Sequence, residues 1–170
     1  MHAEQARIMA AYNQWMNSSL YSVCGELTDI ERRQDRGVFF KSIHGTLNHL
    51  LLADRVWLGR FVAEPFHVDS LDQELYHGFD DLRQGREETD EQILQWANAL
   101  SEEILAGTLR YTSVINPSDR TNEMWLAVAH FFNHQAHHRG QLTAMLSQCN
   151  KNYGVTDLIW FPQARERKAT

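Results

Sequence analysis

The chain has 170 residues, a net charge of −6 with histidine neutral and 43% hydrophobic residues. That length fits one ordinary domain spanning residues 1–170 with a sizeable core, and the composition excludes global disorder. The mild acidity argues against a nucleic-acid partner, which calls for a basic face. No stretch approaches ~18 consecutive apolar residues, so no membrane span is expected.

In chain order, the first predicted helix runs from about Glu4 to Leu27, with Ile8, Ala11, Tyr12, Trp15, Met16 and Leu20 at helical spacing. Thr28, Asp29 and the charged run Glu31–Gly37 read as a solvated loop. The second helix runs from about Ser42 to Val62, with Pro65 closing it. From Phe66 to Glu88 the sequence is mixed and polar, read as loop with a short helical turn at Gln73–Leu75. The third helix opens at Thr89-x-x-Gln92, a capping-box pattern, with Ile93, Trp96, Leu100, Ile104 and Leu105 on one stripe. Leu109–Ile115 favours short strands, and Asn116-Pro117-Ser118-Asp119 is a turn. Thr121 then caps a fourth helix that reaches Gln148. The apolar tail Asp157–Pro162 is expected to fold back on the helices or meet a partner.

Nine histidines stand out, four of them within residues 130–138. An α-helix advances ~100° per residue. With His134 at zero, His138 lies at about +40°, Ala127 and Met145 at about +20° and Phe131 at about +60°, so both histidines share the apolar face. His130 and His137 fall at about −40° and −60°, on its shoulder. On the second helix, with His49 at zero, Ala53 lies at about +40°, and Trp57 at about +80°, with Phe39 beside it if the helix reaches that far. His49 borders the buried stripe, whereas His44, at about −140°, faces outward. His49, His134 and His138 can therefore converge where the second and fourth helices face each other. Imidazole suits zinc, nickel, copper and iron. Three such ligands leave an open coordination position, the layout of a catalytic rather than a closed structural site.

Other signatures fail. There is no His-Glu-x-x-His, and the one Glu-x-x-His, Glu64–His67, is broken by Pro65. Cys24 and Cys149 form no Cys-x-x-Cys and no disulfide framework, which fits a cytoplasmic setting. No general base can be named. Asp54, at about +140° from His49, is a candidate for a structural ion pair instead. Asn48, Gln135 and Gln141 are candidates to orient a ligand imidazole, each otherwise a surface or bundle-edge residue.

Four segments resemble one known family. Tyr12-Asn13-Gln14-Trp15-Met16-Asn17, the run Thr46–Trp57, the run Asn133–Leu142 and the tail Thr156–Trp160 are similar to the motifs of the DinB-like, damage-inducible family. The resemblance spans nearly the whole chain, and Asn133–Leu142 is its most specific part. It implies an all-α, four-helix up-down-down-up bundle, to which the β-rich connection read from Leu109–Ile115 adds a short link before the last helix. It implies one divalent metal ion on His49, His134 and His138, zinc or nickel first, with iron or manganese also compatible. It further implies a homodimer and, from relatives that are thiol-dependent transferases and isomerases, a reaction between a low-molecular-weight thiol and a small electrophilic substrate; a metal-bound water acting as nucleophile would instead make the chain a hydrolase. The alternative is a non-enzymatic metal-binding stress-response protein.

Overall fold

The computed structural model describes residues 1–114 and 118–161. The described chain is mostly helical, with one small two-stranded sheet.

Helix α1 spans Ala3–Gly25. Its interior holds neither proline nor glycine, and Ala3, Ala6, Ala10, Met16, Leu20 and Cys24 bury one face. It stops at Gly25, two residues before the expected end. The run expected as loop forms a short helix, α2, over Asp29–Arg33. A capping box explains it: Thr28 Oγ1 accepts from the Glu31 N–H (3.3 Å), and the Glu31 carboxylate accepts from the Thr28 N–H (2.7 Å).

Helix α3, Ile43–Phe61, agrees with expectation to one residue at each end. Ser42 caps it by accepting from the Gly45 N–H at 3.1 Å. It is buried on almost every side because α2, α4, α6 and β1 all pack against it. The segment 62–78 then folds back over α3, which buries His44 and corrects the outward placement. No helix forms at Gln73–Leu75.

Helix α4, Phe79–Ala99, begins ten residues before the expected Thr89. Asp80 and Asp81 in its first turn favour an N-terminus. Its inward face is Phe79, Leu82, Arg86, Thr89, Asp90, Ile93 and Ala97, at helical spacing but interrupted by charge. Apolar periodicity therefore passed over the first half. Thr89 is not a cap: inside the helix its hydroxyl donates to the Gly85 carbonyl at 2.7 Å. The stripe expected to continue through Leu105 breaks at Leu100. Ser101 starts a separate one-turn helix, α5, over Glu102–Leu105, accepting from the Ile104 N–H at 3.2 Å.

Strands β1 (Thr108–Thr112) and β2 (Asp119–Glu123) pair antiparallel, Thr108 opposite Glu123 and Thr112 opposite Asp119. Ile115 and the Asn116-Pro117 half of the expected turn lie outside the described residues. Thr121 sits in β2 rather than capping a helix, and α6 (Met124–Gln148) opens with Glu123 at its cap position.

The four long helices close on one another: α1 packs on α4 and α6, and α3 packs on the same two. Two apolar clusters fill the interior. One holds Met16, Leu20, Leu47, Leu51, Leu82, Leu142 and Met145. The other holds Ala6, Ala10, Leu58, Ile93, Val128, Phe131 and Phe132. A polar layer also crosses the interior. Arg86 meets Asp54 (2.5 Å) and Asp90 (3.0 Å), Asn17 donates to Asp90 (3.0 Å), and Gln135 donates to Asp54 (2.7 Å). Arg139 joins it through Asn13 and Gln135. At the end, Leu158–Trp160 make a single 3-10 turn, and Phe161 docks against Tyr12 and Trp15. The tail thus folds back through Phe161, while Leu158, Ile159 and Trp160 stay exposed and Pro162 lies outside the described residues. Among the described residues no helix is long and apolar enough to cross a membrane.

Candidate metal centre

His49 projects from α3, and His134 and His138 from α6, one turn apart. Ring nitrogens of all three lie within 4.8 Å of one another. The Nε2 atoms of His134 and His138 are 3.1 Å apart. Two nitrogens on one tetrahedral zinc, each at ~2.0–2.1 Å, stand ~3.3 Å apart, so this spacing suits ligands of one ion.

Two of the rings have their orientation set from behind. His49 Nδ1–H donates to the Leu71 carbonyl at 2.8 Å. His138 Nδ1–H donates to Gln141 Oε1 at 2.8 Å. Both acceptors force the proton onto Nδ1, which leaves Nε2 as a bare lone pair aimed at the common centre. Polar partners behind ligand imidazoles of this kind are the usual companions of a metal.

Phe40 closes the group from the side. Its ring stacks on His49, with centroids 3.7 Å apart and planes 16° apart, and meets His138 edge-on at 5.6 Å. Gly45 makes that placement possible, because a Cβ there would stand 2.2 Å from the Phe40 carbonyl oxygen. Lys41 completes the turn in the left-handed region (φ 65°). The helix starts at Ile43 and does not reach Phe39, so the condition for placing Phe39 beside Trp57 is not met and Phe39 is 84% exposed; the turn sends Phe40 inward instead.

Burial sets the charge state. It pushes the His49 imidazole down to about 4 and that of His134 down to about 3, where neighbouring imidazoles add to the effect. Burial also lowers His138. At neutral pH all three are neutral, the state a metal requires of its ligands.

The remaining candidates separate cleanly. His130 and His137 are exposed and outside the group, although His130 stacks on Trp57 with centroids 5.0 Å apart. His44 belongs to a different cluster, with its Nε2 near Glu74 (3.1 Å), the Tyr76 carbonyl (3.0 Å) and Arg33 (3.1 Å). Asp54 is committed to Arg86, the structural ion pair expected of it. Asn48 and Gln135 are buried, which corrects their surface placement. Asn48 Oδ1 accepts from the Leu75 and Tyr76 N–H groups (2.9 and 3.0 Å), and its Nδ2 donates to the Tyr76 carbonyl (3.1 Å). It thereby holds the segment whose Leu71 carbonyl orients His49. Gln141 alone of the three meets a histidine of the group directly. Sequence reasoning missed Phe40 and the Leu71 carbonyl. A backbone carbonyl leaves no mark in sequence, and the nearest signal for Phe40 is a glycine three residues inside a helix start.

Mostly helical, with three neutral imidazoles converging from two packed helices, the molecule has the form of a protein that can hold a metal ion within its helices. The model of the DinB family matches residues 1–169, and the chain belongs to that family. No curated protein matches it.

Proposed function

We propose that this chain is a metal-dependent enzyme in which His49, His134 and His138 hold one divalent transition-metal ion inside a single four-helix up-down-down-up bundle. The observation that carries this reading is the pair of Nε2 lone pairs, on His49 and His138, turned inward by acceptors on their Nδ1 protons. Three neutral nitrogens without a carboxylate suit zinc or nickel, with iron or manganese also compatible. Such an ion supplies Lewis acidity and a position at which a water or a thiol loses its proton near neutral pH. The chain's own residues hold the imidazoles in place, exclude water through Phe40 and fix tautomers through Leu71 and Gln141.

We assign the reaction to thiol-dependent transfer or hydrolysis, with a low-molecular-weight thiol and a small electrophile as substrates. The free cysteines Cys24 and Cys149 fit a reducing cytoplasm. The exposed Leu158, Ile159 and Trp160 support a homodimer.

Metal analysis of protein purified without a histidine tag tests the site. About one equivalent of metal is expected in the wild type, and none held tightly by the triple variant His49→Ala, His134→Ala, His138→Ala. Metal well below one equivalent, with no rise in melting temperature on adding zinc or nickel, overturns the reading. Screening the loaded protein with small thiols and electrophiles tests the enzyme assignment, which requires turnover that disappears in His138→Ala.

A further inference from the structure

Beside His49 and His134, a cavity of about 250 Å³ runs between α3, α6, Leu71 and the end of β1 with the two residues that follow it. Its wall includes His49, Trp57, Arg60, Tyr111, His130 and His134. No carboxylate lines it among the described residues.

Arg60 is the unusual member. Its guanidinium carbon lies 4.5 Å from the centre of the Trp57 ring and 4.3 Å from that of Tyr111. Among the described residues it has no hydrogen-bond or ion-pair partner. Stacking covers the faces of a guanidinium and leaves its in-plane N–H groups unused. Those groups recognise a carboxylate bidentately. Burial also pulls Arg60 below the ordinary arginine range, the direction expected where no carboxylate offsets lost hydration.

Position links this cation to the histidines. Arg60 follows His49 by three helical turns, at about +20°, so the two share one face of α3. Helix side chains lean toward the N-terminus, and the guanidinium indeed lies over Trp57, back toward His49. The separation left along the cavity is on the order of 10 Å. After allowance for ~2 Å of metal bond and ~3 Å of hydrogen bond, about 5 Å remains between the metal-binding atom and the carboxylate oxygen of a bridging ligand, the reach of about two carbon–carbon bonds.

We propose that Arg60 is the substrate-recognising cation of this site, and that the cavity takes an extended small organic acid. Its carboxylate meets Arg60, and its other end reaches the three histidines. The second half of this assignment rests on the metal reading above; the first half does not.

Two probes of equal length test it, 3-mercaptopropanoate and 3-mercaptopropan-1-ol, on protein loaded with cobalt(II). The near-ultraviolet thiolate-to-cobalt absorption reports binding of each. The acid is expected to bind about tenfold more tightly than the alcohol, or better. In Arg60→Met that preference disappears while the alcohol binds as before. If Arg60→Met does not fold, Arg60→Lys is read instead, with the preference reduced severalfold because the planar fork is gone. Equal affinity for the two probes in the wild type overturns the proposal, as does a preference that survives in the variant. Failure to take up cobalt overturns the metal reading instead. The anion site is then judged on metal-free protein with propanoate and propan-1-ol, followed through the Trp57 indole N–H resonance. A shift with propanoate alone, absent in Arg60→Met, supports Arg60; no shift, or the same shift with both, overturns it.

Discussion

At the scale of single residues, the candidate centre depends on groups that never face its middle. Gln141 meets only the back of His138, yet it decides which nitrogen of that ring carries the proton. Gln141→Leu is expected to weaken zinc binding by about 10–100-fold while leaving the melting temperature of the metal-free protein within a degree or two. Competition with a chromophoric chelator measures the first and calorimetry the second. Loss of binding with an equal loss of fold would make Gln141 a packing residue only. The imidazoles also set a pH dependence for the metal-free protein. His49 is brought from an ordinary 6.5 to about 4 in the folded state. The unfolded chain therefore binds more protons between those values, so stability rises with pH across that window and levels off above about 6.5. His49 alone contributes a change on the order of 3 kcal/mol. Urea unfolding of the wild type and of His49→Phe at pH 4.5 and pH 7 checks it: the rise with pH should be smaller in the variant by the His49 share, while His134, also held low, keeps titrating and Asp54, raised to about 6, acts in the opposite sense in both proteins.

At the scale of elements, the segment 62–78 is a working part rather than a connection. Asn48 holds it through the Leu75 and Tyr76 backbone, and its Leu71 carbonyl sets the His49 ring. Asn48→Ala leaves buried N–H groups unpaired, at about 2–3 kcal/mol, and lets Leu71 move. Faster amide exchange at Leu75 and Tyr76, together with weaker zinc binding, is the expected result. Unchanged exchange would mean that other contacts hold the segment. This element also marks where sequence reading stops. Helix α3 was legible to one residue because its ends carry local signals, a serine cap and a nearby proline. His134 and His138 were legible as a pair because i and i+4 spacing is a backbone property, whereas the convergence of His49 from another helix rested on the family resemblance. The start of α4 was not legible, since Arg86 and Asp90 occupy core positions where apolar residues were sought. His44, Asn48 and Gln135 read as outward or edge residues because helix-face arithmetic sees one helix, and what buries them is a different part of the chain. The α2 capping box was present in Thr28-x-x-Glu31 but hidden inside a charged run.

At the scale of the whole molecule, the polar layer and the three-histidine group act on the same helix pair. Gln135 follows His134 directly on α6, Asp54 lies five residues beyond His49 on α3, and the two side chains meet at 2.7 Å. Arg86 of α4 neutralises Asp54 and Asp90 together, with all three buried. Replacing buried ions with apolar groups can be neutral, whereas removing one partner strands the others. Arg86→Met strands two carboxylates and is expected to cost about 3–5 kcal/mol in urea unfolding of the metal-free protein. Adding Asp54→Asn and Asp90→Asn to it should return most of that loss, since amides are less costly to bury than charges. If the triple variant is no more stable than Arg86→Met, the cost lies in lost packing of the long arginine stem rather than in stranded charge. A metal ion on His49, His134 and His138 would bridge the same two helices, α3 and α6. Saturating zinc at about a thousand times its dissociation constant adds roughly 4 kcal/mol to any fold that keeps the site intact. Arg86→Met should therefore gain less from zinc than the wild type if the polar layer sets the spacing of α3 and α6, and as much if the histidines alone do. Paired thermal melts of the two proteins, with and without zinc, distinguish these outcomes.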